Sequence, residues 1–456
     1  MAILTKEEAK KIIDKVLAFS KADEMSVILT GSRTGNIRYA RNTVSTSGES
    51  YDLALAVTAV FGKRSGSSTI NEFDEQSLEK TVRRAEEIAK LAPENPEYMP
   101  MLGPQTYSES PTFVQSTANI DPAYRAQVAF DSIDPCKKKN LTAAGYLEDT
   151  TEFVAMGNSK GLFGYNKSTS VDFSVTVRTA DGSGSGYVAR DFNDTSKLNA
   201  KSATEIAMQK AMASVTAKAI EPGKYTVILE PTAALDLIQN MMRSIDARSA
   251  DEGRSFLSKK GGGTRLGEKL FDERVTIYSD PTHPDIPKAG FDTPRGRAGG
   301  GGGGGGGGAS GEGRPQEKTI WVDKGVVKNM AYSRYWAQKQ GVKGVPSPQG
   351  FIMQGGTQSL ADLIKSTEKG ILVTRFWYIR AVDPQTQLYT GLTRDGTFYI
   401  ENGQIKFPVK NFRFNESPVI MLNNLEAMGI PTRVNGNMIP PLKIRDFTFT
   451  SLSDAV

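Results

Sequence analysis

Histidine and cysteine are the side chains best suited to bind zinc or to serve a nucleophile, and this sequence holds one of each, His283 and Cys136. That excludes a disulfide within the chain and any zinc site built on two of its histidines or two of its cysteines. A Ser-His-Asp triad would have to use His283. That residue stands in Asp280-Pro281-Thr282-His283-Pro284, where flanking prolines indicate a turn rather than a buried base. Cys136 precedes Lys137, Lys138 and Lys139, cationic neighbours that favour a thiolate. Ser-x-x-Lys spacing occurs at Ser77/Lys80 and Ser366/Lys369, both in charged, helix-like stretches that keep a lysine solvated, whereas a lysine nucleophile needs desolvation. No DxDxDG-type acid cluster supports a calcium loop.

Three glycine clusters, Gly182 to Gly186, Gly261 to Gly263 and Gly355-Gly356, lack the strand–loop–helix frame and spacing of a phosphate site. The first reads as a hairpin connection. The last reads as a turn before a helix at Ser359, with anion binding at the helix start as the alternative. Tyr332, Tyr335 and Trp336, then Phe376, Trp377 and Tyr378, stand among Arg334, Arg375 and Arg380. Core and interface packing is the plain reading of these aromatics, and a peptide or nucleic-acid groove is the other.

The elements that must position these residues follow from periodicity. Thr5 and Glu8 have capping-box spacing before a stripe of Ala9, Ile12, Ile13, Val16 and Leu17. Strands are expected at Ser26 to Leu29, Asn36 to Arg41, Leu53 to Phe61 and Val171 to Val177. Helices are expected over Asp74 to Leu91, Pro122 to Ile133 (stopping near Pro135) and Leu198 to Ala219. Pro222-Gly223 marks the domain boundary. An α+β N-terminal domain over 1–221 is expected to precede a mostly β C-terminal domain over 222–456. The second domain opens with a strand at Tyr225 to Leu229 and a helix at Thr232 to Ala247. Short helices at Leu360 to Lys365 and Val419 to Met428 interrupt strands at Ile371 to Val382, Tyr389 to Thr393, Phe398 to Ile400 and Leu442 to Thr450. Ten glycines run unbroken from Gly299 to Gly308 inside a low-complexity insertion at about 295–314. With no GxxxxGK[ST] and no strand leading into it, the run reads as a surface insertion rather than a phosphate loop.

The whole-chain balance adds bounds. The chain has 456 residues, 38% hydrophobic and 23% charged, with a net charge of +5. That suffices for a sizeable core and is too weak a charge to argue for nucleic acid. No apolar run reaches the ~18 residues of a membrane helix. The N-terminus lacks a signal-peptide core, and a lone cysteine suits a reducing compartment, so a cytoplasmic location is expected.

Four blocks in the second half carry a family resemblance: Asp323 to Asn329, Tyr332 to Ala337, Gly370 to Phe376 and Ile400 to Gly403. Arg38-Tyr39-Ala40 with Val44 to Ser47 agrees with it in the first half. Together they resemble the TldD/PmbA family (peptidase U62), whose members are also called modulators of DNA gyrase. The resemblance implies the TldD/PmbA fold. It also implies a zinc site on a helix carrying HExxxH, with a later cysteine as a further ligand and the glutamate as general base. The matching helix is the one expected at Thr232 to Ala247. The motif falls on residues 239–244, where Gln239 and Ser244 replace the histidines and Asn240 the glutamate. No cysteine follows Cys136.

These departures match the metal-free PmbA (TldE-like) branch. The resemblance then implies a non-catalytic subunit with no metal or cofactor of its own, joined to a TldD-like paralogue that holds the zinc, in a heteromeric peptidase acting on peptides or unfolded chains. The rival readings are a stand-alone homodimeric peptide-binding protein and a gyrase- or nucleic-acid-associated factor. The weak charge disfavours the latter.

Overall fold

The computed structural model describes residues 3–293 and 311–453, so the glycine run Gly299 to Gly308 and its flank Pro294 to Arg297 lie outside the described residues. Helix α1 (Lys6–Ala18) leads into strands β1 (Glu24–Ala40), β2 (Thr43–Phe61) and β3 (Arg64–Ile70). Helices α2 (Glu75–Leu91), α3 (Gln115–Ala118) and α4 (Pro122–Lys138) follow. Strands β4 (Leu141–Asn158), β5 (Phe163–Thr179) and β6 (Ser185–Phe192) and helix α5 (Ala200–Ala213) complete this part. Its six strands form one antiparallel sheet in the order β3-β2-β1-β4-β5-β6.

Helices cover one face of that sheet. Ile13 and Val16 of α1 and Val82 and Ala85 of α2 pack on Val27, Leu29, Leu55 and Val57. Val128 and Cys136 of α4 and Ala203 and Ala207 of α5 pack on Leu147, Val171, Phe173 and Val175. The expected capping box is present, with the Thr5 N–H donating to Glu8 Oε2 at 2.8 Å and the Glu8 N–H to Thr5 Oγ1 at 3.2 Å. The two strand segments expected at Ser26 to Leu29 and Asn36 to Arg41 are one strand of 17 residues, because the polar stretch between them pairs on both sides with β2 and β4. Its Gly35 has a specific cause: a Cβ there would lie 1.8 Å from the guanidinium of Arg125 on α4.

Helix α4 does not stop at Pro135 but runs on to Lys138. A proline in a last turn removes a single hydrogen bond, while Cys136 gains a core position and Lys137 and Lys138 complement the helix C-terminus. The helix expected to reach Ala219 ends at Ala213, with Thr216 in left-handed backbone just beyond.

Next come β7 (Lys224–Leu229), α6 (Pro231–Arg243), α7 (Ala247–Asp251), β8 (Ile277–Ser279), β9 (Thr319–Asp323), β10 (Val326–Val327), α8 (Arg334–Gln340), β11 (Ile352–Met353) and α9 (Leu360–Lys365). The chain then continues through β12 (Lys369–Asp383), β13 (Leu388–Glu401), β14 (Gln404–Pro408), β15 (Phe412–Glu416) and α10 (Pro418–Asn423). It closes with β16 (Leu425–Met428), β17 (Thr432–Val434), β18 (Asn437–Ile439) and β19 (Leu442–Leu452). The helix expected over Thr232 to Ala247 is thus two, α6 and α7, and the one expected over Val419 to Met428 is α10 followed by β16. Helix α8, over the first aromatic group at Tyr335 and Trp336, lies in a stretch read as β.

Strands β12, β7, β19, β15 and β13 pair in that order, and β12 also pairs with β13, so these five close into a barrel. Its interior is aromatic. The ring centroids of Phe376 and Phe414 lie 4.4 Å apart and those of Phe412 and Phe449 4.6 Å apart. Such pairs each add about 0.5–1.5 kcal/mol beyond simple burial. The order β10-β9-β8-β11-β18-β17 makes a further sheet, with Trp321 buried and its Nε1–H donating to Ser279 Oγ at 3.0 Å. Among the described residues no helix is long and apolar enough to cross a membrane.

Candidate functional site at helix α6

Helix α6 begins where β7 leaves the barrel. Pro231 at its first turn fixes the helical φ. Ala233, Ala234, Leu237, Ile238 and Met241 bury one face in the barrel core. The remaining side carries Asp236, Asn240 and Ser244, spaced i, i+4, i+8 along one stripe, with Gln239 half-buried beside them.

The stripe closes on itself. Asn240 Nδ2 donates to the Asp236 carbonyl at 2.7 Å, and Ser244 Oγ donates to the Asn240 carbonyl at 3.0 Å. These residues therefore offer two amides, a hydroxyl and the single carboxylate of Asp236, with Asn240 and Ser244 engaged with their own helix backbone. Zinc prefers imidazole and thiolate. The sequence's single histidine lies elsewhere, its Nδ1 accepting the Asp285 N–H at 3.2 Å in the turn after β8. Among the described residues no group of three His, Cys, Asp or Glu side chains could hold a metal ion. The donor set on α6 does not fit zinc.

Other chemistry-bearing residues surround α6, and of these only Arg375 stands out in the sequence, as a neighbour of aromatics. Asp236 is the lone acid of the helix, and burial pushes its carboxyl up to about 7. It accepts the backbone N–H of Phe376 at 3.4 Å. Glu230, the residue capping α6, accepts Lys210 Nζ of α5 at 2.7 Å and Thr374 Oγ1 of β12 at 3.3 Å. Arg375 Nε donates to Asp395 Oδ2 at 2.7 Å, and its guanidinium lies 3.8 Å from the Tyr187 ring centroid. Ser185 Oγ donates to the other oxygen of Asp395 at 2.5 Å. Asp395 and Gly396 both adopt positive φ, which bends β13 where these contacts form. The signal for Asp236 was available: one acid inside the apolar run Ala233 to Ile238.

Ser185 and Tyr187 belong to β6, so this cluster joins the first sheet to the barrel. Further along β6, Asp191 accepts Arg433 Nε at 2.8 Å and the N–H groups of Asn435 and Gly436 at 2.6 and 2.8 Å. Asp172 pairs across the sheet with both Glu148 and Asp191. Its carboxyl is pushed up to about 6, chiefly by the surrounding protein and then by those two carboxylates.

The other sequence candidates resolve as follows. Cys136 is fully buried on α4, and burial pushes its thiol up to about 11, against the expected thiolate; its lysine neighbours lie outside the core. Ser77 Oγ donates to Glu72 at the start of α2, and Ser366 Oγ to the Leu363 carbonyl at the end of α9. Gly182 to Gly186 connects β5 to β6, and a Cβ on Gly186 would meet the Ala207 carbonyl of α5 at 2.1 Å. Gly355-Gly356 forms a structural turn, the Gly356 N–H donating to the Gly429 carbonyl at 2.9 Å. Gly261, Gly262 and Gly263 all take positive φ in a loop. The aromatics divide: Trp336 and Phe376 are core, while Trp377 and Tyr378 are 46% and 60% exposed.

Comparison with known proteins assigns the class. The family model described as "PmbA/TldA metallopeptidase C-terminal domain" matches residues 222–451. Those for domain 1 and the central domain of the same family match 26–89 and 117–215. This chain belongs to the PmbA/TldD metallopeptidase family. It is 23% identical over 477 residues to the metalloprotease PmbA of Escherichia coli O157:H7, covering 97% of this chain and 98% of that protein. It is 20% identical over 433 residues to the metalloprotease TldD homolog of Buchnera aphidicola, covering 85% and 81%. Two solved structures share its fold with TM-scores of 0.84. One is a putative modulator of DNA gyrase from Thermotoga maritima (17% identity, 97% of this chain, 100% of that one). The other is TldE from Thermococcus kodakarensis (18% identity, 97% and 99%).

Proposed function

We propose that this chain is the metal-free, non-catalytic subunit of a heteromeric PmbA/TldD-type metallopeptidase acting on peptides or unfolded chains. One observation carries the reading: the polar stripe of α6 contains no imidazole and is closed on its own backbone through Asn240 and Ser244. Zinc then belongs to a TldD-like paralogue. The role of this chain is to wall a chamber and present extended substrate to that metal.

The first sheet supplies a suitable edge. Strand β3 pairs only with Leu55 to Phe61 of β2, so the exposed Thr43 to Asp52 segment carries backbone groups that β3 leaves unpaired. An extended peptide adds to such an edge through main-chain hydrogen bonds. A cytoplasmic location suits this reading.

The test is isolation of the tagged full-length chain from its native source. A stoichiometric paralogue bearing HExxxH is the expected companion. A lone homodimer would instead favour the stand-alone peptide-binding reading.

A further inference from the structure

We propose that the outer face of the barrel around Trp377 is the docking surface for the metal-bearing paralogue, an inference that rests on the heteromeric reading above. Alternation along the strands builds this face. Phe376, Phe412 and Phe414 point into the barrel core. Trp377 is in register with Leu392 of β13, and Leu392 with Arg413 of β15, so those three share the outside.

Part of that outside is already covered. Leu363 of α9 packs on Leu372, Phe398 and Ile400, and β6 sets Ser185 and Tyr187 against Asp395 and Arg375. Beyond Arg375 the cover ends, and Trp377, Tyr378 and Val382 stand 46%, 60% and 55% exposed.

Guanidinium groups flank the exposed rings. The guanidinium of Arg394 lies 4.8 Å from the Trp377 centroid and that of Arg375 5.5 Å, while that of Arg380 lies 4.2 Å from the Tyr378 centroid. Tyr378 adopts a φ of 54°, at a break in register between Trp377 and Arg380. A non-glycine residue there costs free energy, and the ring it carries is exposed. The hairpin end is pinned by Gln385 Nε2 donating to the Gly253 carbonyl at 3.0 Å and Ser417 Oγ to the Thr386 carbonyl at 2.7 Å. Preorganised Trp and Tyr beside Arg is the composition of energetic hot spots in protein interfaces.

Charge selects the occupant. Arg375 and Arg394 flank Trp377, Arg380 flanks Tyr378, and Arg413 lies beyond Leu392 on β15, while the nearby Asp383 is taken up by the Gln385 and Thr386 N–H groups and the Thr386 hydroxyl. Asp395 lies beside Arg375 and Arg394. Among the described residues no acid forms an ion pair with Arg380 or Arg413. A second copy placed across a two-fold axis would set this cationic face against itself, whereas a partner with an acidic face complements it. The aliphatic Val382 favours a polypeptide over a phosphate backbone.

The test is a binding titration between the purified full-length chain and the purified HExxxH-bearing paralogue. It compares wild type, Trp377→Ala, Arg380→Glu and the distant control Leu91→Ala, with thermal melts confirming that each variant folds. The expected result is wild-type association, weakened at least roughly 30-fold by Trp377→Ala or Arg380→Glu and unchanged by Leu91→Ala. Association by wild type and undiminished association by both arm variants overturns this surface while leaving the heteromeric reading intact. No association by wild type removes the heteromeric reading and this inference with it. A homodimer that Trp377→Ala dissolves, or salt-dependent binding of a single-stranded oligonucleotide that Arg380→Glu abolishes, assigns the face to a different occupant and overturns the proposal.

Discussion

Asn240 donates its side-chain amide to the backbone carbonyl of Asp236, 2.7 Å away and one turn earlier on the same helix. That bond takes a polar group out of circulation where the family resemblance places catalytic chemistry. It also ties the helix turn that carries Asp236, the one acid on α6, which is left with a raised proton affinity and no metal-binding set around it.

Asp236 makes stability depend on pH. Its ordinary value is 3.8 and its folded value about 7. Between those values the folded chain holds a proton that the unfolded chain has lost, so this group's contribution to stability falls as pH rises through that window. Asp236→Asn is expected to stabilise the chain at pH 8 by about 1–3 kcal/mol and to leave it unchanged below pH ~4. Thermal melts of both proteins from pH 4 to pH 8 check this; a constant offset across the range would contradict it.

Arg125 is 1% exposed and donates to both oxygens of Asp149, at 2.6 and 2.9 Å, and to Glu49 at 2.8 Å. Asp149→Ala leaves a buried guanidinium short of its main partner, which costs about 3–5 kcal/mol. Gly35→Ala reaches the same guanidinium sterically, since its Cβ would lie 1.8 Å from it. Denaturant unfolding of both variants is expected to show large losses. Wild-type midpoints for either would refute the arrangement.

Burial of Cys136 makes it inert in the native chain. A thiol reagent at pH 8 is expected to label the native protein at least about 100-fold more slowly than the urea-unfolded protein, which titrates one thiol. Comparable rates in the two states would show that Cys136 is accessible.

The elements that carry a clean period were legible in the sequence. The α1 capping box, the Val171 to Val177 alternation and the strand–helix step from β7 to α6 all stand where spacing places them. Elements held by long-range pairing were not. The polar middle of β1 has no apolar alternation and is a strand only because β2 and β4 flank it. Helix α4 passes Pro135 because Cys136 has a core position to fill, which local propensity does not register. At the site, the sequence located α6 and its unusual residues, Gln239, Asn240 and Ser244. The roles of Asp236 and Asp395 were not legible, and Arg375 was legible only as a neighbour of aromatics, because their meaning depends on β6 and β13 meeting around them, a contact between residues some 200 positions apart, as in Ser185 with Asp395.

The central claim is that this chain contributes no zinc and no catalysis of its own. Its most direct test is to measure zinc content and peptide cleavage for the purified full-length chain, alone and with an HExxxH-bearing paralogue. The account expects far less than one zinc per chain and no cleavage by the chain alone, with cleavage only when the zinc-loaded paralogue is present. One zinc per chain together with cleavage by the chain alone would contradict it.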